Sequence, residues 1–165
     1  MGTHFRGDPD TVRALDTYIK LMRASETVTA TLQRDLSNAG LTTTQFGVME
    51  LLLHLGPCCQ KVMGHKLLKS GGNITTVVDN LERRGLVTRT RGGEDRRFVT
   101  VDLTPAGRQL IEAVFPAHAE RIRALLATLP PASQVQLGEL CRRLGRAVAG
   151  ETEAPVARVE ALEPL

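Results

Sequence analysis

Two short stretches carry side chains suited to gripping a charged polymer. The first is Arg91-Gly92-Gly93-Glu94-Asp95-Arg96-Arg97. Asp95 and Arg97 stand two apart, so in an extended chain both side chains point to one side. A carboxylate so placed can hold a guanidinium by charge-assisted hydrogen bonds and fix its direction. An aimed arginine at a loop tip suits the narrow minor groove of duplex DNA, while Arg91 and Arg96 suit phosphates. The second stretch runs from Ser70 through Gly71, Gly72 and Asn73 to Thr75, Thr76, Asn80 and Arg83. Asparagine can pair with adenine, threonine with base atoms or a thymine methyl, and arginine with guanine. At a helix N-terminus, Ser70 and the backbone N–H groups of Gly71 and Gly72 can hold a phosphate.

These residues need elements to position them. Ile74, Val78 and Leu81 recur at four and three residues, which predicts a helix over 73–84 with those three buried and the polar set facing out. Gly85 fits a left-handed position after the helix and Leu86 closes it. Lys61 to Leu68 reads as a shorter helix, with 69–72 as a turn. Strands are predicted over 86–91 and 97–103, where Val99, Val101 and Leu103 alternate with Thr100 and Asp102. The order is helix, turn, helix, basic hairpin. An amphipathic helix alone, or a charged loop alone, is usually just a solvated surface. Their succession points to a winged helix-turn-helix.

Three further helical regions flank this one. Val12, Leu15, Ile19, Met22, Val28, Leu32 and Leu36 predict a long helix over 10–38, usable for core packing or for contact between subunits. Thr42 with Gln45 forms a capping-box pattern, with Leu41 and Phe46 as its hydrophobic staple, and starts a helix that runs to about residue 55. Thr104-Pro105 starts another helix, with a kink expected near Pro116 and a break at Pro130-Pro131. The last helix spans about 132–149 and presents Val135, Leu137, Leu140, Cys141, Leu144 and Val148. The fold class is therefore mainly α with a small β-hairpin wing. The expected domains are a helical module of residues 10–38 and 104–149, a DNA-binding domain of residues 41–103, and a disordered tail over 150–165.

Composition narrows the function classes. The chain has 165 residues and a net charge of only +3, so the argument rests on local charge. Between Arg83 and Arg97 there are six arginines (83, 84, 89, 91, 96 and 97) against Glu94 and Asp95. Such a patch is the electrostatic footprint of phosphate binding. No apolar run is long enough to span a bilayer and no signal-peptide pattern opens the chain, so a cytoplasmic protein is expected. Cys58, Cys59 and Cys141 show neither a disulfide framework nor zinc-ligand spacing, and no metal or cofactor is expected. Aromatic residues are 3% and tryptophan is absent, which disfavours stacking platforms for single strands. No nucleophile signature joins Cys58 or Cys59 to His54 or His65, so the chain does not read as an enzyme.

Asp95-Arg96-Arg97 followed by Leu103-Thr104-Pro105-Ala106-Gly107 resembles the D-x-R and L-T-x-x-G wing signature of the MarR family of bacterial transcriptional regulators. Asn80-Leu81-Glu82-Arg83-Arg84-Gly85-Leu86 is similar to that family's recognition-helix exit, and the element order matches over about residues 10–149. Gly71-Gly72-Asn73 and Asn80 depart from it, since many relatives carry larger polar residues and arginine there. The resemblance implies a homodimer joined by the first and last two helices, binding a near-palindromic double-stranded operator. It implies a repressor, often released by a small phenolic or aromatic effector or by a stress signal. Tyr18, Met22, Met49, His54, Cys58 and Cys59 are the candidate effector or sensor residues if the folds correspond. Thiol-based redox sensing through Cys58 and Cys59 is one alternative, and a winged-helix protein-interaction module is another.

Overall fold

Each helix of this chain starts or stops where a neighbouring residue satisfies its unpaired backbone groups. The computed structural model describes residues 2–91 and 99–150. Helix α1 spans Pro9–Asn38; Asp8 caps it by accepting from the Thr11 N–H, and Pro9 occupies its first turn. It ends in a Schellman closure, where Gly40 takes φ of 68°, its N–H reaches the Ser37 carbonyl at 3.0 Å, and Leu41 N–H reaches Leu36 at 3.1 Å. Helix α2 spans Thr43–Leu55 behind the expected capping box of Thr42 and Gln45. Leu41 and Phe46 are both buried there, as a hydrophobic staple requires.

Strand β1 (Cys58–Cys59), helix α3 (Gln60–Leu67), helix α4 (Gly71–Arg83), strands β2 (Val87–Arg91) and β3 (Val99–Leu103), and helix α5 (Pro105–Leu126) follow. The expected turn at 69–72 is shorter than its composition suggested. Ser70 caps α4 by accepting from the Asn73 N–H at 3.3 Å, which places Gly71 and Gly72 inside the first helical turn. The end of α4 is a second Schellman closure: Gly85 N–H to Glu82 at 2.8 Å and Leu86 N–H to Leu81 at 3.0 Å. Leu86 closes the helix and the strand begins at Val87.

The sheet is antiparallel, in the order β1-β3-β2. Sequence reading had only the hairpin strands; the structure pairs them with Val87 opposite Leu103 and Arg91 opposite Val99. The missed strand pairs Cys58 with Val101 and Cys59 with Thr100. A two-residue strand has no periodicity of its own to reveal it. The expected hairpin tip, with Asp95, Arg96 and Arg97, and the expected tail over 151–165 lie outside the described residues.

Ile74, Val78 and Leu81, the predicted buried stripe of α4, are fully buried with Met49, Leu52, Met63, Val101 and Ile111. One contact locks the sheet to α5. Thr104 caps α5 through the Gly107 N–H at 3.0 Å and donates its own hydroxyl to the Gly85 carbonyl at 2.6 Å. Thr104 N–H also donates to the Leu86 carbonyl. Gly107 passes so close to Leu86 that a Cβ there would fall 1.9 Å from its carbonyl oxygen. The Leu-Thr-x-x-Gly pattern is thus a close-packed corner that only glycine can complete.

The chain divides into two compact units, one ending at Leu125 and the other beginning at Leu126. Among the described residues, the buried core lies in the first. Helix α6 (Pro131–Ala149), in the second, has no buried residue; Val135, Leu137, Leu140, Cys141, Leu144 and Val148 are exposed in the single chain. No described helix is long and apolar enough to cross a membrane.

Gly107→Ala is expected to lower unfolding stability by about 2–3 kcal/mol, the cost of overpacking against backbone that cannot retreat. Leu68→Gly should act oppositely, because Leu68 is exposed and sits at a left-handed φ of 52°; relief of that strain is worth roughly 0.5–1 kcal/mol. Urea denaturation of the two variants measures both effects.

Candidate nucleic-acid interface

Burial of one face of α4 dictates what the other presents. Ser70, Gly71, Gly72, Asn73, Thr75, Thr76 and Arg83 are exposed, and Asn80 is half-buried. A Cβ built at Gly71 or Gly72 would meet nothing within 4 Å, so this helix end is open to approach. Ser70 spends its hydroxyl oxygen on the cap, leaving the N–H groups of Gly71 and Gly72 pointing outward. Thr75 and Thr76 give their hydroxyl protons to the carbonyls of Gly71 and Gly72 at 3.0 and 3.1 Å. Their oxygens can still accept, and the Thr75 hydroxyl also lies 3.3 Å from the Gln60 side-chain amide. Arg83 donates to the Asn80 amide oxygen. The expected base-reading set therefore shares one helical face, with Asn80 and Arg83 bonded to each other.

The charge patch is organised differently from its composition. Arg89 in β2 is held by Asp79 at 2.5 Å and Glu82 at 2.6 Å, both on α4. Glu82 also accepts from the Arg89 backbone N–H at 3.2 Å. The Gln60 side chain of α3, with its amide oxygen turned to the guanidinium, accepts from it at 3.0 Å. Burial works against the charge of Arg89, but its hydrogen bonds to Asp79 and Glu82 more than offset that and hold its pKa above the ordinary arginine value. Arg89 therefore does not present a free charge. It is the clasp between α3, α4 and the hairpin. Arg84 is likewise engaged, donating to the Gly40 carbonyl at 2.8 Å.

Sequence reading missed a compensating row. Lys61, His65 and Lys69 stand four residues apart; the first two lie on α3, and Lys69 follows the left-handed end of that helix at Leu68. Together with Gln60, Gly64, Gly71 and Thr75 they line an open hollow of about 360 Å³ beside the start of α4. The four-residue spacing is a signal already readable in the sequence.

The candidate sensor residues differ in burial within the single chain. Met49 is fully buried, whereas Tyr18, Met22 and His54 are exposed. The His54 ring meets Phe115 edge-on, at 4.9 Å between centroids. Cys58 and Cys59 occupy β1, free and half-buried. Burial, then the neighbouring Cys59, push the Cys58 thiol up, against a smaller downward pull from Lys66. A raised pKa lowers the thiolate fraction on which reactivity depends. Among the described residues no group of three or more histidines, cysteines or carboxylates could hold a metal.

A different concavity is present. Asp35, Leu36 and Asn38 of α1, with its C-cap Ala39, face Ala113, Val114, Ala117, His118 and Arg121 of α5 across a groove of about 710 Å³. Arg121 binds Asp35 at 3.0 Å. The His118 ring packs on Phe46 at 4.2 Å between centroids, and its buried Nδ1 has no hydrogen-bond partner.

A three-stranded wing on a helix-turn-helix, with an open basic face, defines a winged helix-turn-helix DNA-binding protein. Residues 41–99 match the MarR family model. Over 133 residues, 81% of this chain and 86% of the relative, the chain is 36% identical to the HTH-type transcriptional regulator YkoM of Bacillus subtilis. It is 33% identical over 135 residues to the transcriptional regulator MhqR of the same organism, covering 82% and 93% of the two chains. The solved structure of Bordetella bronchiseptica BpsR, whose DNA binding is regulated by 6-hydroxynicotinic acid, matches with a TM-score of 0.72 at 28% identity, covering 78% of this chain and 98% of that one. The chain belongs to the MarR family of transcriptional regulators.

Burial holds the His118 pKa below the usual 6.5, with the Glu50 and Asp35 carboxylates pulling the other way. A histidine depressed in the folded state leaves stability untouched at high pH. As pH falls through 6.5 the unfolded chain takes up the proton first, so stability declines. His118→Phe should flatten that decline below pH 6.5 in urea midpoints measured across pH.

Proposed function

We propose that the chain is a homodimeric repressor that reads a near-palindromic operator and is released by a small aromatic effector. Direct reading is assigned to Asn73, Thr75, Thr76, Asn80 and Arg83 of α4. Phosphate contact is assigned to Ser70, the N–H groups of Gly71 and Gly72, and Arg91 and Arg96. Minor-groove contact is assigned to Arg97, aimed by Asp95. The observation that carries this reading is α4 itself, fully buried along Ile74, Val78 and Leu81 and open along the opposite face from its first turn. A helix so anchored can enter a major groove without rearranging its core.

Dimer formation through residues 10–38 and 104–149 is supported by apolar side chains that a single chain leaves exposed. Tyr18, Met22 and Val28 lie on α1, and Val135, Leu137, Leu140, Leu144 and Val148 on α6. Runs of this kind mark interaction surfaces. Effector control is supported by the groove at Asp35, His118 and Arg121, where an unpartnered buried nitrogen awaits a polar group beside an apolar wall. The regulation of BpsR by 6-hydroxynicotinic acid supports an aromatic ligand of that size. Control through Cys58 and Cys59 is less well supported, because Cys58 is pushed away from the thiolate. Action on DNA places the protein in the cytoplasm.

The test uses the duplex that the purified protein enriches from its own genome. Affinity should fall steeply with salt, since several phosphates per subunit displace counterions. Arg97→Ala should weaken binding by roughly 1–3 kcal/mol, measured by fluorescence anisotropy. Unchanged affinity in that variant would remove the wing from the interface.

A further inference from the structure

Helix α1 ends without a cation of its own in its last turn. A helix C-terminus carries partial negative charge on carbonyls that lack intrahelical partners, and a nearby cation stabilises it. The cation here comes from another helix. Arg84, the C-terminal cap of α4, donates from a guanidinium nitrogen to the Gly40 carbonyl at 2.8 Å, across 44 residues of chain. Its other terminal nitrogen lies over Gly40 as well, 3.6 Å from where a Cβ would stand. Gly40 and Gly85 are the left-handed glycines of the two Schellman closures, at φ 68° each. Arg84 therefore stitches one helix end directly to another.

The corner that receives Arg84 is well fixed. The Gln33 amide oxygen accepts from the Thr43 backbone N–H at 2.8 Å and from the Thr43 hydroxyl at 2.7 Å. Its nitrogen donates to the Ser37 hydroxyl at 3.0 Å and the Leu41 carbonyl at 3.2 Å. Arg121 holds Asp35 from the α5 side. A rigid corner at Gly40 gives Arg84 something firm to pull against.

We infer that Arg84 is a positioning residue for operator recognition: by tying the end of α4 to the corner between α1 and α2, it fixes the angle at which the reading face meets the bases. It contacts no phosphate. Its effect is on discrimination, which depends on helix pose. The counterion-driven binding that any duplex receives is left alone. The inference rests on membership of a DNA-binding family and not on the proposed effector.

Arg84→Ala and Arg84→Gln are compared with the wild-type chain on the selected operator duplex and on a scrambled duplex, over a series of salt concentrations. Thermal melts followed by circular dichroism check folding. Arg84 is exposed, and the glutamine variant keeps a donor should the alanine variant melt. Operator affinity should drop roughly tenfold, the effect of one lost charge-assisted hydrogen bond at a partly wet site. Affinity for the scrambled duplex, and the dependence of log K on log salt for either duplex, should not change. Equal losses on both duplexes, with the salt slope shallower by about 0.9 per subunit, would make Arg84 a phosphate contact and overturn the inference. Unchanged operator affinity in a folded variant would overturn it too. If the wild-type chain selects no duplex, it is the DNA-reading assignment that fails, ahead of any comparison of variants.

Discussion

The clasp around Arg89 is the interaction on which the DNA-facing surface depends. Asp79 and Glu82 sit on the exposed flank of α4, where two bare carboxylates would repel a phosphate backbone. Arg89 neutralises both at 2.5 and 2.6 Å and is itself only partly wet, with a side-chain exposure of 23%. A salt bridge in such a place is worth more than a fully solvated one, though desolvation takes back part of the gain. The same guanidinium joins β2 to α4 and, through Gln60, to α3. Charge cancellation and geometry thus come from one side chain, and the hairpin cannot tilt without breaking it.

That arrangement redraws the basic patch. The sequence shows six arginines between residues 83 and 97. Within the unbound chain Arg83 bonds Asn80, Arg84 bonds Gly40 and Arg89 bonds two carboxylates. Positive charge beside the start of α4 comes instead from Lys61 of α3 and Lys69 just beyond it, which line one hollow with His65. The helix-turn-helix then carries a basic flank beside its first helix and a neutralised flank on its second. Asn73 and Thr76, exposed on α4, belong to the face proposed to read bases.

What could be read in the sequence was what is local. The capping box at Thr42 and Gln45, the buried stripe of α4, and the glycine close at Gly85 each depend on residues within one or two turns, and each stands as predicted. The Leu-Thr-x-x-Gly pattern was legible as a signature, but its reason was not. Only the packed structure shows a Gly107 Cβ falling 1.9 Å from the Leu86 oxygen. Strand β1 was missed because its two residues are defined by a partner strand some forty positions on. The candidate sensor set was assembled from residue type alone. In the single chain Met49 lies in the core and Tyr18 in solvent, while His118 and Arg121 line a groove that no local pattern announced.

The most direct test of this account is whether Arg89 serves the interface by masking acids or by touching DNA. Operator affinity and its salt dependence are measured for Arg89→Ala and for the triple variant Arg89→Ala/Asp79→Asn/Glu82→Gln. The account predicts that Arg89→Ala binds poorly and that the triple variant, freed of both exposed carboxylates, recovers a substantial part of the loss. A triple variant no better than Arg89→Ala, with a shallower salt dependence in both, would contradict it and make Arg89 a phosphate ligand.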